Sequence, residues 1–506
     1  MIGGKKLCRL ISYVMAFLLL CSLHATSYAA SASGHSSSSI PTSEITAASF
    51  MAAMNTGWNL GNSLDTHHKA TKGEANLNQE TLWGNPTVTK ELIDCVRARG
   101  FNTIRVPVSW YYHTYTGEDG QLHVHPEWLA RVKEVVNYCI ADGMFVVMDS
   151  HHDNKIFYVG ADEADFAGVC NRMTTIWTDI ANYFNDVDGH LIFEAFNEID
   201  NVKKGRTFTN TAANQLNQLN QHFVNTIRAT GGNNAQRLLI VPTLFHKYSD
   251  DVLNSFVLPK DSASGKLLTA VHFYSQVLDQ YIDQDFVRLQ NFAAKVGAPM
   301  VITEWGTTNQ FKPSGYRSIH ASNYVARANA HGLKCIYWDN GKEYAIIYRK
   351  DLNYHAKMID AIMNPTPYTA APESALDNWS SNYLYMGMDE SNGALKEWDS
   401  WGGMVLDQGG TGLLNIPQGA TSMSMQITTS GSMARQNFHF VYFYNDSYGL
   451  VDKINTHFGF IDRTVAIPEG ATTVRICIYN AFEKTSKESY DAALANGSIK
   501  PVIKFY

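Results

Sequence analysis

Leu191-Ile-Phe-Glu-Ala-Phe-Asn-Glu-Ile199 and Pro299-Met-Val-Ile-Thr-Glu-Trp-Gly306 have the same design, a short apolar run broken by carboxylates and then by polar or glycine-bearing loop. A strand of a parallel sheet, covered on both faces, reads as a continuous apolar run, and the residues past its carboxyl end emerge where ligands bind. Working outward, the same design recurs along the chain. Strands are predicted at Gly57–Leu60, Thr103–Val106, Phe145–Met148, Leu191–Phe193, Leu238–Val241, Leu268–Val271, Met300–Ile302 and Cys335–Trp338. Helical periods fill the gaps, among them Glu127–Ala141, Asp165–Phe184, Ala212–Ala229 and Asp285–Val296. Eight strand–helix units over about 300 residues match a (β/α)8 TIM barrel. An open doubly wound sheet would want a glycine-rich phosphate loop after its first strand, and Leu60-Gly-Asn-Ser-Leu-Asp65 is not one.

The barrel sets a rule for reading the polar residues, because active groups lie at the carboxyl ends of the strands. Asn62 and Asp65 follow the first strand, Arg105 lies in the second, and His151 and His152 follow the third. Asn197 and Glu198 follow the fourth, His272 and Tyr274 the sixth. Glu304 ends the seventh, and Trp338 with Asp339 the eighth. Only the fifth strand is uninformative. Buried parallel strands tolerate such groups when these are paired or chemically employed.

The rest of the chain bounds the answer. At 506 residues it is too long for one ordinary domain, and 45% hydrophobic with 12% aromatic composition suits large cores. A net charge of -7 argues against nucleic acid as partner. Lys5, Lys6 and Arg9 precede the apolar run Tyr13–Leu20, and small residues follow up to Ala30. This is the layout of a secretory signal peptide over 1–30 cleaved after Ala30, and the run is short of the roughly 20 residues a membrane span needs. The expectation is an extracellular, monomeric protein with no membrane attachment after cleavage. A Ser-rich leader over 31–43 precedes the barrel domain over 44–365. Pro365, Pro367 and Pro372 mark a linker over 366–374. From 375 to 506 short alternating strands (Leu413–Ile416, Ser422–Ile427, Phe438–Phe443, Thr473–Ile478, Ile499–Phe505) predict a smaller all-β sandwich. Trp379, Trp398, Trp401, Tyr383 and Tyr385 near its start form either a carbohydrate-binding platform or ordinary packing. The cysteines show no metal-ligand spacing, so no structural zinc, disulfide framework or cofactor is expected.

Two carboxylates brought to one barrel mouth by separate strands can act as proton donor and nucleophile on a glycosidic bond. The ordered motifs sharpen this. Gly57-Trp-Asn-Leu-Gly-Asn62, Glu80-Thr-Leu-Trp-Gly-Asn-Pro86, Arg105-Val-Pro-Val-Ser-Trp110, Ser150-His-His152, Phe196-Asn-Glu198, His272-Phe-Tyr274, Thr303-Glu304 and Trp338-Asp-Asn-Gly341 together resemble glycoside hydrolase family 5, closest to its subfamily 4 of endo-β-1,4-glucanases. The resemblance spans the barrel segment and none of the carboxy-terminal domain. It implies Glu198 as acid/base, Glu304 as nucleophile and a β-glucan as substrate, with no metal. It further implies that Asn197 meets the sugar 2-hydroxyl and that Arg105 holds the nucleophile. His151, His272 and Tyr274 would line the cleaved subsite, with His152 as a neighbouring sugar contact and Trp338 as the stacking platform. Ile199 replaces the family's usual proline. Glu194 is expected to lie too early on its strand to reach the mouth, and Arg105 to keep Glu304 ionised while Glu198 stays protonated. Xyloglucan, mixed-linkage glucan and mannan are alternative substrates for the same machinery. A non-catalytic glycan-binding protein would have lost one carboxylate, and both are present.

Overall fold

Eight apolar strands hydrogen-bond side by side in chain order and close on themselves. The computed structural model describes residues 38–68, 75–275, 280–308, 316–367, 376, 383–389, 391–396, 403–408, 410–417, 420–433, 436–455, 462–480 and 485–506. Strands β1 (Gly57–Leu60), β2 (Thr103–Val106), β3 (Phe145–Met148), β4 (Leu191–Glu194), β5 (Leu239–Pro242), β6 (Leu267–His272), β7 (Met300–Trp305) and β8 (Lys334–Asp339) form a closed parallel barrel, with β8 pairing back onto β1. The predicted helices begin a residue or more earlier than their apolar periods because the caps lie upstream. Asp162 accepts from the Asp165 N–H and Thr209 from the Ala212 N–H, while Pro126 takes the first position of its helix.

Side-chain alternation divides the barrel residues between two cores. Ile104, Val146, Met148, Leu191, Phe193 and Ile302 face the helices, while Val147, Ile192, Ile240, Ala270, Val301 and Ile336 fill the lower lumen. The lumen's amino-terminal end is plugged by Ile45 and by Phe50, Met51 and Met54 of the 40–54 segment, whose short helix Ala47–Ala53 opens with a Thr46–Ser49 capping box. Lys266 ties this plug down through the carbonyls of Thr42, Ser43 and Ile45. Above the apolar floor the lumen turns polar, with Asn59, Arg105 and Glu194 all fully buried.

The carboxy-terminal region is an antiparallel sandwich. One sheet runs β10 (Leu395–Lys396), β9 (Tyr383–Met388), β11 (Gly403–Leu406), β17 (Thr473–Asn480), β14 (Gln436–Tyr444), β15 (Leu450–Asn455), with β12 (Leu414–Asn415) also on β17. The other runs β16 (Asp462–Ala466), β13 (Ser422–Thr429), β18 (Ile499–Phe505). Met404, Val441, Phe443, Ile476 and Ile478 meet Met423, Met425, Ile503 and Phe505 between them. Beside its strands the domain carries a helix, Lys487–Asn496, capped by Ser486 and closed by Gly497 in the left-handed region. Tyr383 and Tyr385 are packing residues, because both rings lie against Tyr490 of that helix and their hydroxyls donate to Asp491 Oδ1 and the Thr485 carbonyl, 2.6 and 2.8 Å away. Trp379, Trp398 and Trp401 lie outside the described residues, as do the signal peptide and most of the leader and linker. No helix among the described residues is long and apolar enough to cross a membrane.

Phe50 is fully buried and meets Phe145 edge-on at 5.1 Å. Phe50→Ala should cost the barrel about 3–5 kcal/mol, read as a lower urea midpoint, because the plug cannot collapse into the space left. The mouth lies at the other end, so kcat well below the melting range should stay within about twofold of the parent; a large kcat loss there would contradict this separation of roles.

Candidate active site

The polar layer is organised around one guanidinium. Arg105 points into the lumen from β2, has no exposed surface, and donates through Nε to Glu194 Oε2 (2.5 Å). Nη1 donates to Asn59 Oδ1 (3.2 Å) and Glu304 Oε1 (2.8 Å), and Nη2 to Asp149 Oδ2 (2.6 Å) and Asn197 Oδ1 (3.1 Å). A guanidinium has five N–H groups, so every donor is used. Glu194 does not reach the mouth, as expected, yet it is part of the site's foundation: its other oxygen lies 3.2 Å from His246 Nε2.

Glu304 reaches this layer through a break in the strand. Ile302 faces outward and Thr303 follows it, so plain alternation would turn Glu304 away from the lumen. Between β6 and β7 the register runs Val271↔Ile302 and then His272↔Glu304, with Thr303 as the extra residue. The bulge returns Glu304 to the inner face. There Tyr274 donates its hydroxyl to Glu304 Oε2 at 2.9 Å, while its ring stays 39% exposed along the cleft. Glu198 stands opposite, with one oxygen within 4.8 Å of a Glu304 oxygen and with Oε1 accepting from His272 Nδ1 at 2.8 Å.

The cleft floor and walls follow from the other strand ends. His151 donates to Asp149 Oδ2 at 2.7 Å, which fixes its ring nearly parallel to Trp338 with centroids 5.6 Å apart. Gly61 makes room for that indole, since a Cβ there would lie 2.7 Å from Trp338 Cη2. The predicted Glu80–Pro86 wall contributes Trp83, which packs with His67 and His152; His67 in turn stacks on Tyr112 at 4.3 Å. Glu80 itself is structural, accepting from the Val88 N–H and from Arg131. Ile199, after Glu198, is buried.

All nine predicted site residues, Arg105, His151, His152, Asn197, Glu198, His272, Tyr274, Glu304 and Trp338, belong to this one mouth. Three more were not foreseen. His246 lies past β5, the strand that had no signal, in a turn where Phe245 and His246 take φ of 58° and 54°, and its ring packs tilted against His272 with centroids 4.0 Å apart. Asp149 looks in sequence like the end of an apolar strand. Arg206, in the 202–208 loop, forms a tight ion pair with Glu198 Oε2 and also reaches Asp200 Oδ1 at 3.3 Å. The loop is held by Lys247 Nζ on the Arg206 carbonyl, 2.8 Å away.

These partners bias the two carboxyls in directions opposite to those expected. Burial lifts the Glu304 carboxyl to about 8 against the pull of Arg105, with the Glu198 charge adding to the lift. Arg105 is shared with Glu194 and Asp149, so its charge does not serve Glu304 alone. Burial also acts to raise Glu198, but the His272 hydrogen bond and the charge of Arg206 outweigh it and hold Glu198 well below the usual range. Burial keeps His151 and His272 neutral, each near 3. The two carboxyls titrate as one pair sharing a proton, with burial driving Glu304 up while the His272 and Arg206 donors drive Glu198 down. Donor atoms of Asp65, His151 and His152, of Glu194, His246 and His272, and of Glu198, His272 and Glu304 lie close enough to hold an ion, and the last two sets are committed to the network above.

A closed (β/α)8 barrel with two facing carboxyls within 4.8 Å at its carboxyl mouth is the frame of a glycoside hydrolase. The family model described as cellulase (glycosyl hydrolase family 5) matches residues 64–344. Endoglucanase A of Ruminococcus albus is 35% identical over 59% of this chain and 85% of its own length. Endoglucanase A of Clostridium longisporum is 34% identical over 63% of this chain and 67% of its own. Among solved structures, a subfamily 4 broad-specificity endoglucanase from Ruminococcus champanellensis with bound cellotriose is 33% identical, covers 63% of this chain and 99% of that one, and gives a TM-score of 0.60. The chain belongs to glycosyl hydrolase family 5, close to subfamily 4, and is a glycoside hydrolase of the endo-1,4-β-glucanase class.

Arg105→Lys should cost about 3–5 kcal/mol of barrel stability and most of the activity, because one ammonium cannot satisfy five acceptors in a dry lumen. A melting curve close to the parent's would contradict the shared-guanidinium account. Arg206→Ala removes a positive charge from the pair, so the proton is held to higher pH; the alkaline limb of kcat/KM should move up, and a downward shift would count against the ion pair.

Proposed function

We propose that the enzyme hydrolyses internal β-1,4-glucosidic bonds with retention of anomeric configuration, and the single observation that carries this reading is the close approach of the Glu198 and Glu304 carboxyls, within 4.8 Å. Retaining hydrolysis needs about 5–5.5 Å between the groups, whereas inversion needs about 6.5–9.5 Å to admit a water. In the first step a Glu304 oxygen bonds to the anomeric carbon, the glycosidic C–O bond breaks, and Glu198 gives its proton to the departing oxygen. In the second, Glu198 takes a proton from water, the water oxygen bonds to the same carbon, and the Glu304 ester bond breaks.

The reaction requires the shared proton on Glu198. A sugar entering the cleft competes with Arg206 for Glu198 Oε2, and loss of that exposed partner raises the Glu198 carboxyl and draws the proton across. Glu304 keeps its buried donors Arg105 and Tyr274, which suit an anion. Asn197, its carbonyl oxygen held by Arg105, is left with its amide to meet the 2-hydroxyl. Trp338 offers a flat face to the pyranose of the cleaved subsite, and the His67, Trp83 and His152 wall extends the cleft toward further sugars. Cellulose-type and mixed-linkage β-glucans are the proposed substrates, with xyloglucan and mannan as alternatives in the same cleft; the Ruminococcus champanellensis relative is named as broad in specificity. Export is proposed on the Lys5–Ala30 layout.

Purified protein should hydrolyse carboxymethylcellulose and mixed-linkage β-glucan, and release first-formed β-anomers from cello-oligosaccharides in proton NMR. Glu304→Gln should lower kcat by at least about 10⁴-fold with an unchanged circular dichroism spectrum, and azide should restore activity to Glu198→Ala by forming a β-glycosyl azide. First-formed α-anomers would overturn retention, and hydrolysis confined to mannan or xylan would overturn the glucanase assignment.

A further inference from the structure

We infer that the carboxy-terminal sandwich carries a separate binding site for a β-glucan chain, on the outer face of its larger sheet at the β14–β15 hairpin. This inference rests on the β-glucanase reading for the choice of ligand. The sheet is covered on both faces. Beyond the inter-sheet core, Val405, Tyr442, Tyr444 and Cys477 form a second apolar layer under the β9–β10 hairpin and the 410–413 loop. Where that cover ends, a cavity of about 570 Å³ opens to solvent, within the range of sites that hold small ligands.

Its lining alternates flat apolar surface with fixed hydrogen-bonding groups. Tyr444 forms the floor, 7% exposed, its hydroxyl donating to the Asn392 carbonyl at 2.9 Å. Arg475 lies over that ring with 5.4 Å to its centroid and is locked by the carbonyls of Gly412, Gly393 and Thr411 at 3.0, 2.7 and 3.0 Å. Tyr448 and Leu450 form the rim and are 68% and 40% exposed. The turn that holds Tyr448 out is tied by hydrogen bonds: Asn445 Oδ1 accepts from the Ser447 and Gly449 N–H groups at 3.1 and 2.9 Å, and Tyr448 takes φ of 57°. A tyrosine kept in water on such a turn costs apolar hydration without contributing to the core, which fits a surface that something covers.

A pyranose presents an apolar C–H face bordered by equatorial hydroxyls, which matches a tyrosine ring flanked by a guanidinium, the Asn392 amide and the Thr411 hydroxyl. Among the described lining residues the only charge is an arginine committed to three carbonyls, so a neutral polyhydroxylated chain fits better than an anionic one. A second site on the same polypeptide raises the effective concentration of polysaccharide at the barrel mouth.

The full-length chain in the Glu304→Gln background, which cannot consume the matrix, is run through gels containing mixed-linkage β-glucan and bound to insoluble cellulose. It is compared with the same chain carrying Tyr448→Asn, which accepts the left-handed backbone, or Leu450→Ser. Each should weaken retention on at least one of the two polysaccharides by roughly five- to tenfold, the scale of one lost aromatic or apolar contact. The same substitutions in the active chain should leave kcat/KM on soluble cellotetraose within about twofold. Retention equal to the Glu304→Gln parent in both variants, or no retention of that parent on either polysaccharide, would overturn the site. A parent chain that fails to cleave cellotetraose would instead overturn the glucanase reading, while the retention comparison still decides the pocket.

Discussion

A guanidinium with five acceptors and no water is the constraint on which the rest of the barrel turns. A buried cation is costly unless paired and fully hydrogen-bonded, and Arg105 is both, through Glu194, Asp149, Glu304, Asn59 and Asn197. Those five partners come from four strands or strand ends besides its own, so the charge can be satisfied only if β1, β3, β4 and β7 stand in one register. Asn59 extends the tie by donating to the Thr303 carbonyl at 3.0 Å, at the residue that forms the β7 bulge. The site is thus also a clamp on barrel closure, and its geometry is as stiff as the scaffold.

The fold was legible because its signals are periodic. All eight barrel strands were identified from the sequence, and most boundary shifts extend a strand past its apolar stretch, as in Met300–Trp305, while β5 begins one residue late, at Leu239. The same logic located the nine mouth residues, since a strand's carboxyl end can be found without knowing its neighbours. What stayed hidden required three-dimensional information. His246 sits four residues past the end of β5 and returns to the site only through two consecutive left-handed residues. Asp149 gave no sign that it would share Arg105, and Arg206 comes from a loop whose path no periodicity encodes. In the sandwich, Tyr383 and Tyr385 stay open between platform and packing in the sequence because exposure of an aromatic cannot be read from composition; the helix that covers them follows about 100 residues later.

The direction of the carboxyl pair was misread for a related reason. Arg105 beside Glu304 suggested an ionised nucleophile, which assumes that one cation serves one anion. Three carboxyls compete for that cation in a lumen where burial penalises every charge, and burial pushes Asp149 to about 7 as well. Meanwhile Glu198, the less buried of the pair, has the tight ion pair with Arg206, which it shares only with the exposed Asp200 among the described residues. Counting charges along the sequence cannot reveal how they are apportioned, because apportionment depends on which donors point where.

That asymmetry bears on how the proposed reaction would start. The donors to Glu304 are parts of the scaffold: Arg105 cannot turn without breaking four other bonds, and Tyr274 is fixed at its hydroxyl. The donor to Glu198 from Arg206 belongs to a side chain 46% exposed to solvent, whereas Arg105 has no exposed surface. Under the proposed mechanism, a ligand that takes the place of Arg206 would raise the proton affinity of Glu198, while Glu304 keeps the two donors that suit an anion.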